Sequence, residues 1–134
     1  MRYLGLDIGD RWIGIALSDP SAKLASPHAV LKHSDDTTDS EAIAHIIEKY
    51  DVQLVVVGLP RMMDGSLGIQ AHKVEDFTRQ LRSKTDIPVK FRDERLTTVS
   101  ARRLMQASGT RRSRRKRDDA IAAAIMLQAF LDEG

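Results

Sequence analysis

An aspartate inside a strand that should be buried on both faces is the first residue of this chain that packing does not account for. In YLGLDIGDRWIGIALS, Tyr3 to Ser18, apolar residues crowd both halves, and the Gly9-Asp10-Arg11 step between them reads as a tight hairpin turn. Asp7 stands in the first half, where an unpaired carboxylate costs several kcal/mol, so it must be paired, hydrogen-bonded or holding a cation. The plainer alternative is an Asp that caps its own turn through Gly9. Two further acids, Glu94 and Asp119, lie far off in the sequence. Carboxylates dispersed in sequence but gathered on one sheet edge are what Mg²⁺ requires, because it prefers hard oxygen ligands and keeps several waters for a phosphate substrate. The one charge run of the chain, Arg111 to Arg117 (RRSRRKR), is six-sevenths basic. It suits phosphate groups gripped through counterion release without sequence readout, or it is a solvated loop.

Whether those acids can meet depends on the elements that carry them. After the hairpin, Asp19-Pro20-Ser21 signals a turn, and Lys23 to Leu31 returns as a third, more polar strand, completing an antiparallel meander. Thr38, Asp39 or Ser40 caps a helix in which Ile43, Ile46 and Ile47 recur at helical spacing up to Tyr50. Leu54 to Gly58 (LVVVG) is the wholly apolar, β-branched run of a central parallel strand. The loop LPRMMDGSL, Leu59 to Leu67, carries a turn at Asp64-Gly65, and Ile69 to Leu81 forms the second helix through Val74, Phe77 and Leu81. Ile87 to Phe91 is a short strand that Pro88 places at an edge, running into the charged tetrad Arg92-Asp93-Glu94-Arg95. A helix capped by Thr97 or Thr98 continues through Val99, Leu104 and Met105 to a stop near Gly109, and an Ala-rich helix spans Asp118 to Leu131. A meander followed by alternating helices and two further strands implies an α/β fold: a mixed five-stranded sheet, three antiparallel strands then two parallel, with helices on both faces. Ligands on open α/β sheets bind outside the carboxyl ends of the parallel strands. Asp7, Glu94 and Asp119 can converge there.

Composition narrows the function classes. At 134 residues with 42% hydrophobic content the chain is expected to form one domain, residues 1–134, around a single core. Lys and Arg number 21 against 19 Asp and Glu, so the net charge of +2 is modest and the placement of basic residues matters more than their sum. The absence of cysteine excludes disulfides, thiolate chemistry and a cysteine zinc site, and the four His are scattered without ligand spacing. No signal-peptide layout opens the chain, and no apolar run approaches the roughly 20 residues of a membrane span, so a cytoplasmic location without a membrane partner is expected.

Four blocks, LGLDIGDRWIGIALSD (Leu4 to Asp19), VVVGLPRMMDGSLG (Val55 to Gly68), DERLTT (Asp93 to Thr98) and DAIAAAIMLQAFL (Asp119 to Leu131), resemble the YqgF family. Those RuvC-like, RNase H-fold proteins are described as candidate Holliday junction resolvases and as candidate pre-16S rRNA nucleases. The resemblance runs end to end in the family's order. It implies an RNase H-like three-layer fold and a metal-dependent endonuclease whose acidic triad falls on Asp7, Glu94 and Asp119, the same acids that the topology selects. In one place the chain departs from the family, which commonly has an apolar residue where Asp118 stands. Periodicity does not choose between Asp118 and Asp119, and the alignment of Ala122, Ala123, Leu127 and Gln128 favours Asp119, leaving Asp118 as a helix N-cap or supporting acid.

As a nuclease, the triad would hold one or two Mg²⁺ or Mn²⁺ ions that activate water and stabilise the departing oxygen. Arg61 and Arg95 would assist near the metals, while Arg111, Arg112, Arg114, Arg115, Lys116 and Arg117 would hold the backbone of structured RNA or branched DNA. The family's roles imply processing of the 5′ end of pre-16S rRNA, with resolution of DNA junctions as the alternative, and either a monomer or a homodimer. Aromatic residues make up only 4%, so base stacking should not dominate binding, and Trp12 is expected in the core or at its rim rather than on a nucleobase. Asp93 is read as a salt-bridge partner of Arg92 or Arg95, and Gly58 and Gly65 as backbone accommodations, since no GxxxxGK[ST] pattern is present. Two other classes remain. An actin-like sugar kinase would need a second lobe to enclose ATP, and a noncatalytic nucleic-acid-binding module would leave three clustered carboxylates repelling one another.

Overall fold

The hairpin forms where alternation and the turn residues demand it. Strand β1 (Arg2–Ile8) pairs antiparallel with β2 (Trp12–Ser18), and Gly9 N–H closes the turn on the Trp12 carbonyl at 2.9 Å. The computed structural model describes residues 1–60, 62, 64–94 and 111–133, with residues 111–118 described through their backbone. Strand β3 (Ala25–Lys32) adds to β2 antiparallel, beginning two residues later than its polarity suggests. The reason lies in the preceding turn: the Asp19 carboxylate accepts from the backbone N–H groups of Lys23 and Leu24, which are thereby withdrawn from the ladder.

Helix α1 (Asp36–Lys49) is capped by Asp35, whose carboxylate accepts from Thr38 N–H at 2.8 Å, rather than by Thr38, Asp39 or Ser40. Asp39, 2% exposed, instead turns back to His33 and to the Ser34 backbone and hydroxyl, tying the β3–α1 connection to the first turn of the helix. Strand β4 (Val52–Leu59) and β5 (Val89–Asp93) extend the sheet in parallel, giving the order β3-β2-β1-β4-β5. Pro88 does sit at the edge, but it precedes the strand. Its carbonyl accepts from Val55 N–H while its ring nitrogen has nothing to donate, so the paired segment shifts to include Arg92 and Asp93.

Helix α2 (Ile69–Arg82) and α1 cover one face of the sheet; α3 (Arg111–Glu133) covers the other. The side-chain period of two sorts the strands between these layers. Leu4, Leu6, Ile8, Ile13, Ile15, Val55 and Val57 join Ile43, Val74, Phe77 and Leu81 in the larger core. Ala16, Leu54 and Val56 meet Ala123, Met126 and Leu127 in the smaller one. The final helix starts at Arg111 and not at Asp118, because Arg and Lys are good helix formers and nothing in RRSRRKR breaks the backbone pattern. Asp118 is therefore well inside the helix, and its expected role as an N-cap is withdrawn. The helix expected between Thr97 and Gly109, together with Arg61 and Arg95, lies outside the described residues.

Candidate active site

Toward the carboxyl end of β1, the face of the sheet under α3 carries glycine where a side chain would block close approach. Asp7 pairs across β1–β2 with Gly14, and Gly58 follows Val57, the β4 residue that pairs with Leu6. A Cβ on Gly14 would overlap the backbone carbonyl of Asp119, so α3 crosses β2 in direct contact with the strand. On the other flank, a Cβ on Gly58 would stand 2.5 Å from Glu94 Oε1 and 2.8 Å from its Cγ. The missing side chains let a helix backbone and a carboxylate approach Asp7 from opposite sides. Gly5, one alternation earlier, gives the same close approach to Ala123 and Leu127, which sets the depth at which the helix lies.

Glu94 immediately follows β5, and its carboxyl group is hydrogen-bonded to that of Asp7. Burial pushes the Asp7 carboxyl up from the usual range, and the bond from Glu94 moderates the rise. Glu94 is pushed up to about 9 by burial first, then by the negative charge of Asp7, by the hydrogen bond it makes to Asp7, and by the charge of Asp93. Burial and proximity raise both carboxyl groups, so the pair keeps a proton at pH values where separate, solvated carboxyl groups are ionised.

Two buried, hydrogen-bonded carboxyl groups fit a hard divalent cation, which would replace the proton and satisfy both carboxylates with oxygen ligation. Among the described residues, no three acidic or histidine side chains stand together as a complete ligand group. The fold thus joins the carboxyl groups of Asp7 and Glu94, and brings the backbone of Asp119, whose side chain is half-buried, against the strand position paired with Asp7. Arg111, Arg112, Arg114, Arg115, Lys116 and Arg117 occupy the first two turns of α3, on the same helix and amino-terminal to Asp119.

Other sequence-derived assignments land unevenly. Arg92 pairs with Glu133 through two bonds, Nε at 2.9 Å and Nη2 at 2.5 Å, and so fastens the carboxyl end of α3 to β5. Trp12 is half-buried where β2 begins. Gly58 accommodates Glu94 as a backbone position should, and Gly65, at φ 89°, forms the expected turn with its N–H on the Met62 carbonyl. Gly14 escaped notice, although a glycine inside an apolar strand such as WIGIALS is the usual mark of close backbone approach.

A family model described as "RuvX: Holliday junction resolvase" matches residues 1–133. A protein of Desulforamulus reducens is 43% identical over 135 residues, covering 100% of this chain and 98% of the relative. One of Caldanaerobacter subterraneus subsp. tengcongensis is 46% identical, covering 98% and 96%. Each carries the name "Putative pre-16S rRNA nuclease". Among solved structures, Thermus thermophilus RuvC in complex with a Holliday junction substrate superposes with a TM-score of 0.65 at 16% identity, covering 99% of this chain and 95% of that one. The Fowlpox virus resolvase bound to Holliday junction DNA gives 0.59 at 14% identity, covering 99% and 98%. The fold is RNase H-like, as the resemblance to the YqgF family implies, and its sheet has the three antiparallel and two parallel strands expected from the strand pattern.

Proposed function

The chain belongs to the RuvX family of Holliday junction resolvase-like proteins, and from that premise we propose that it is a divalent-metal-dependent endonuclease that matures the 5′ end of pre-16S rRNA. The observation that carries the reading is the hydrogen-bonded Asp7–Glu94 carboxyl pair, buried at the carboxyl end of the parallel strands, with Gly14 paired to Asp7 and Gly58 against Glu94. Names carried by relatives more than 40% identical over nearly the whole chain favour the RNA substrate.

In this reading Asp7 and Glu94 hold Mg²⁺ or Mn²⁺, with Asp119 brought to the same edge by α3 and residues 1–134 acting as one nuclease domain. When bound, the metal would activate water and stabilise the departing oxygen in an in-line displacement. To ligate a cation Glu94 would have to be ionised, and the β1–β4 and β4–β5 registers hold the strand that carries Asp7 and the strand that Glu94 follows in one sheet. The basic turns of α3, Arg111 to Arg117, with Arg61 and Arg95, draw the phosphate backbone toward the acids without reading bases. Among the described residues no helix is long and apolar enough to cross a membrane. A cytoplasmic location is part of the same proposal.

A second reading, cleavage of branched DNA, is favoured by the family description and by the two junction-bound structural neighbours. Such an enzyme would act as a two-fold dimer matching its substrate, whereas RNA processing can proceed from a monomer. A side-by-side assay on a pre-16S rRNA 5′ fragment, a four-way DNA junction and a linear duplex, each with Mg²⁺ or Mn²⁺, tests both. Cleavage of the RNA fragment at defined positions is expected. Preferential junction cleavage would select the second reading, and binding without any cleavage would identify a noncatalytic module.

A further inference from the structure

The backbone carbonyl of Ile8, one residue past Asp7, lies beyond the last residues that pair between β1 and β4. That parallel pairing runs as far as Leu6 beside Val57, and β4 ends at Leu59, followed by Pro60, whose ring nitrogen has no hydrogen to donate. On the other flank the β1–β2 ladder ends with Ile8 beside Ile13, and Gly9 N–H closes the turn on the Trp12 carbonyl. A side chain from another layer supplies the donor. Gln70, in the first turn of α2, donates from Nε2 to Ile8 O at 3.2 Å. The Ile8 side chain is buried in the core beneath α1 and α2, and alternation sends that of Asp7 to the opposite face, where its carboxyl bonds Glu94. Gln70 thus grips from behind the backbone that presents Asp7 in front.

Close packing does not hold the strand end here. A cavity of about 260 Å³ lies between the turn and α2, with Ile8, Gly9 and Asp10 on one side and Gln70, Lys73 and Phe77 on the other. The Gln70 bond crosses it, and so does a contact from Lys73 Nζ to Asp10 Oδ1 at 3.6 Å. Lys73 and Asp10 are 62% and 70% exposed, so their pairing contributes little. The Gln70 bond is partly buried and is made to the main chain, which fixes where the backbone runs. We propose that Gln70 is a positioning residue for the nuclease centre: acting through Ile8 O, it holds the end of β1 where the Asp7 carboxyl meets Glu94 and can take a divalent cation with it. The proposal rests on the nuclease reading. Ligation by two carboxylates tolerates little displacement, and groups that orient ligands from behind change affinity or activity by about 10- to 100-fold when they are removed.

The test uses the full chain, with Mn²⁺ binding read by calorimetry in the absence of nucleic acid and cleavage measured on a pre-16S rRNA 5′ fragment and a four-way DNA junction. Q70E keeps the shape but turns the donor into an acceptor, and Q70A leaves Ile8 O to water from the cavity. Q70K restores a donor, its ammonium accommodated by Asp10, Asp36 and Asp76 on the cavity wall. Q70E should bind Mn²⁺ about tenfold more weakly and lower kcat about tenfold with KM for nucleic acid unchanged, and Q70A should fall between it and the wild type. Q70K should restore both quantities to within about threefold, and K73A, which leaves Ile8 O bonded, should change neither by more than about twofold. If Q70E does not fold, Q70A against Q70K decides. Variants lacking the donor that bind Mn²⁺ and cleave like the wild type would overturn the positioning role alone. So would losses that Q70K does not restore or that K73A reproduces, since the contact would then merely fasten α2 to the turn. A wild type that binds Mn²⁺ but cleaves neither substrate, with the variants in the expected order of affinity, would sink the nuclease reading and leave Gln70 positioning a cation site; one that neither binds nor cleaves would overturn both.

Discussion

Replacing Glu94 by Gln should stabilise the metal-free protein at neutral pH. In the native state Glu94 holds its proton up to about 9, against an ordinary value of 4.5. Between these values the folded protein binds one proton more than the unfolded chain, so stability falls as pH rises. The contribution is fully present below about 4.5 and fully lost above about 9. At pH 7 the gap from 4.5 is 2.5 units; at about 1.36 kcal/mol per unit that sets a ceiling of about 3.4 kcal/mol. Partial solvent screening of the pair brings the expected difference to about 1 to 3 kcal/mol. Glutamine does not ionise, and its amide still donates to Asp7. E94Q should therefore melt about 4 to 12 °C above the wild type at pH 7 in chelator, at roughly 4 °C per kcal/mol for a domain of this size. The gap should close toward pH 4.5. Adding Mg²⁺ or Mn²⁺ should raise the wild-type melting temperature by mass action and leave E94Q nearly unmoved. Melts by circular dichroism across pH 4.5 to 9, in chelator and in metal, decide it. An E94Q protein that is less stable than the wild type at pH 7, by an amount independent of pH, would refute the shared proton and the cation site built on it.

Asp7→Asn, Glu94→Gln and Asp119→Asn should each abolish cleavage with nucleic-acid binding retained in gel-shift assays, and full activity in Asp119→Asn with none in Asp118→Asn would transfer the third role to Asp118. Alanine at Arg111, Arg112, Arg114 and Arg115 should weaken binding to all sequences alike, each lost contact reducing the slope of log K against log salt by about 0.9 on duplex DNA; an unchanged slope would make the basic turns a solvated surface. Gly14→Ala drives a methyl into the α3 backbone and should destabilise by about 3 kcal/mol or more in urea unfolding. Gly58→Ala meets only the Glu94 side chain, so it should leave stability within about 1 kcal/mol but weaken Mn²⁺ binding in calorimetry.

The strand pattern, the turn at Gly9-Asp10-Arg11, the parallel run LVVVG and the outlying position of Asp7 were legible from residue type and spacing, because alternation and turn chemistry are local. The helix end at Arg111 was not: a basic run reads as solvated surface, while its helix propensity is equally consistent with a longer α3. Asp35 displaced three other capping candidates within five residues, a choice made by which carboxylate the chain can fold back onto Thr38. The pairing of Arg92 with Glu133 across 41 positions has no local signal at all. The site divides in the same way. Sequence marked Asp7, Glu94 and Asp119 as acids able to converge. Only the strand registers paired Gly14 with Asp7, set Glu94 against Gly58 and moved that acid's proton affinity to about 9. Burial and the separation of two charges are properties of the assembled sheet, and a pKa is set by both.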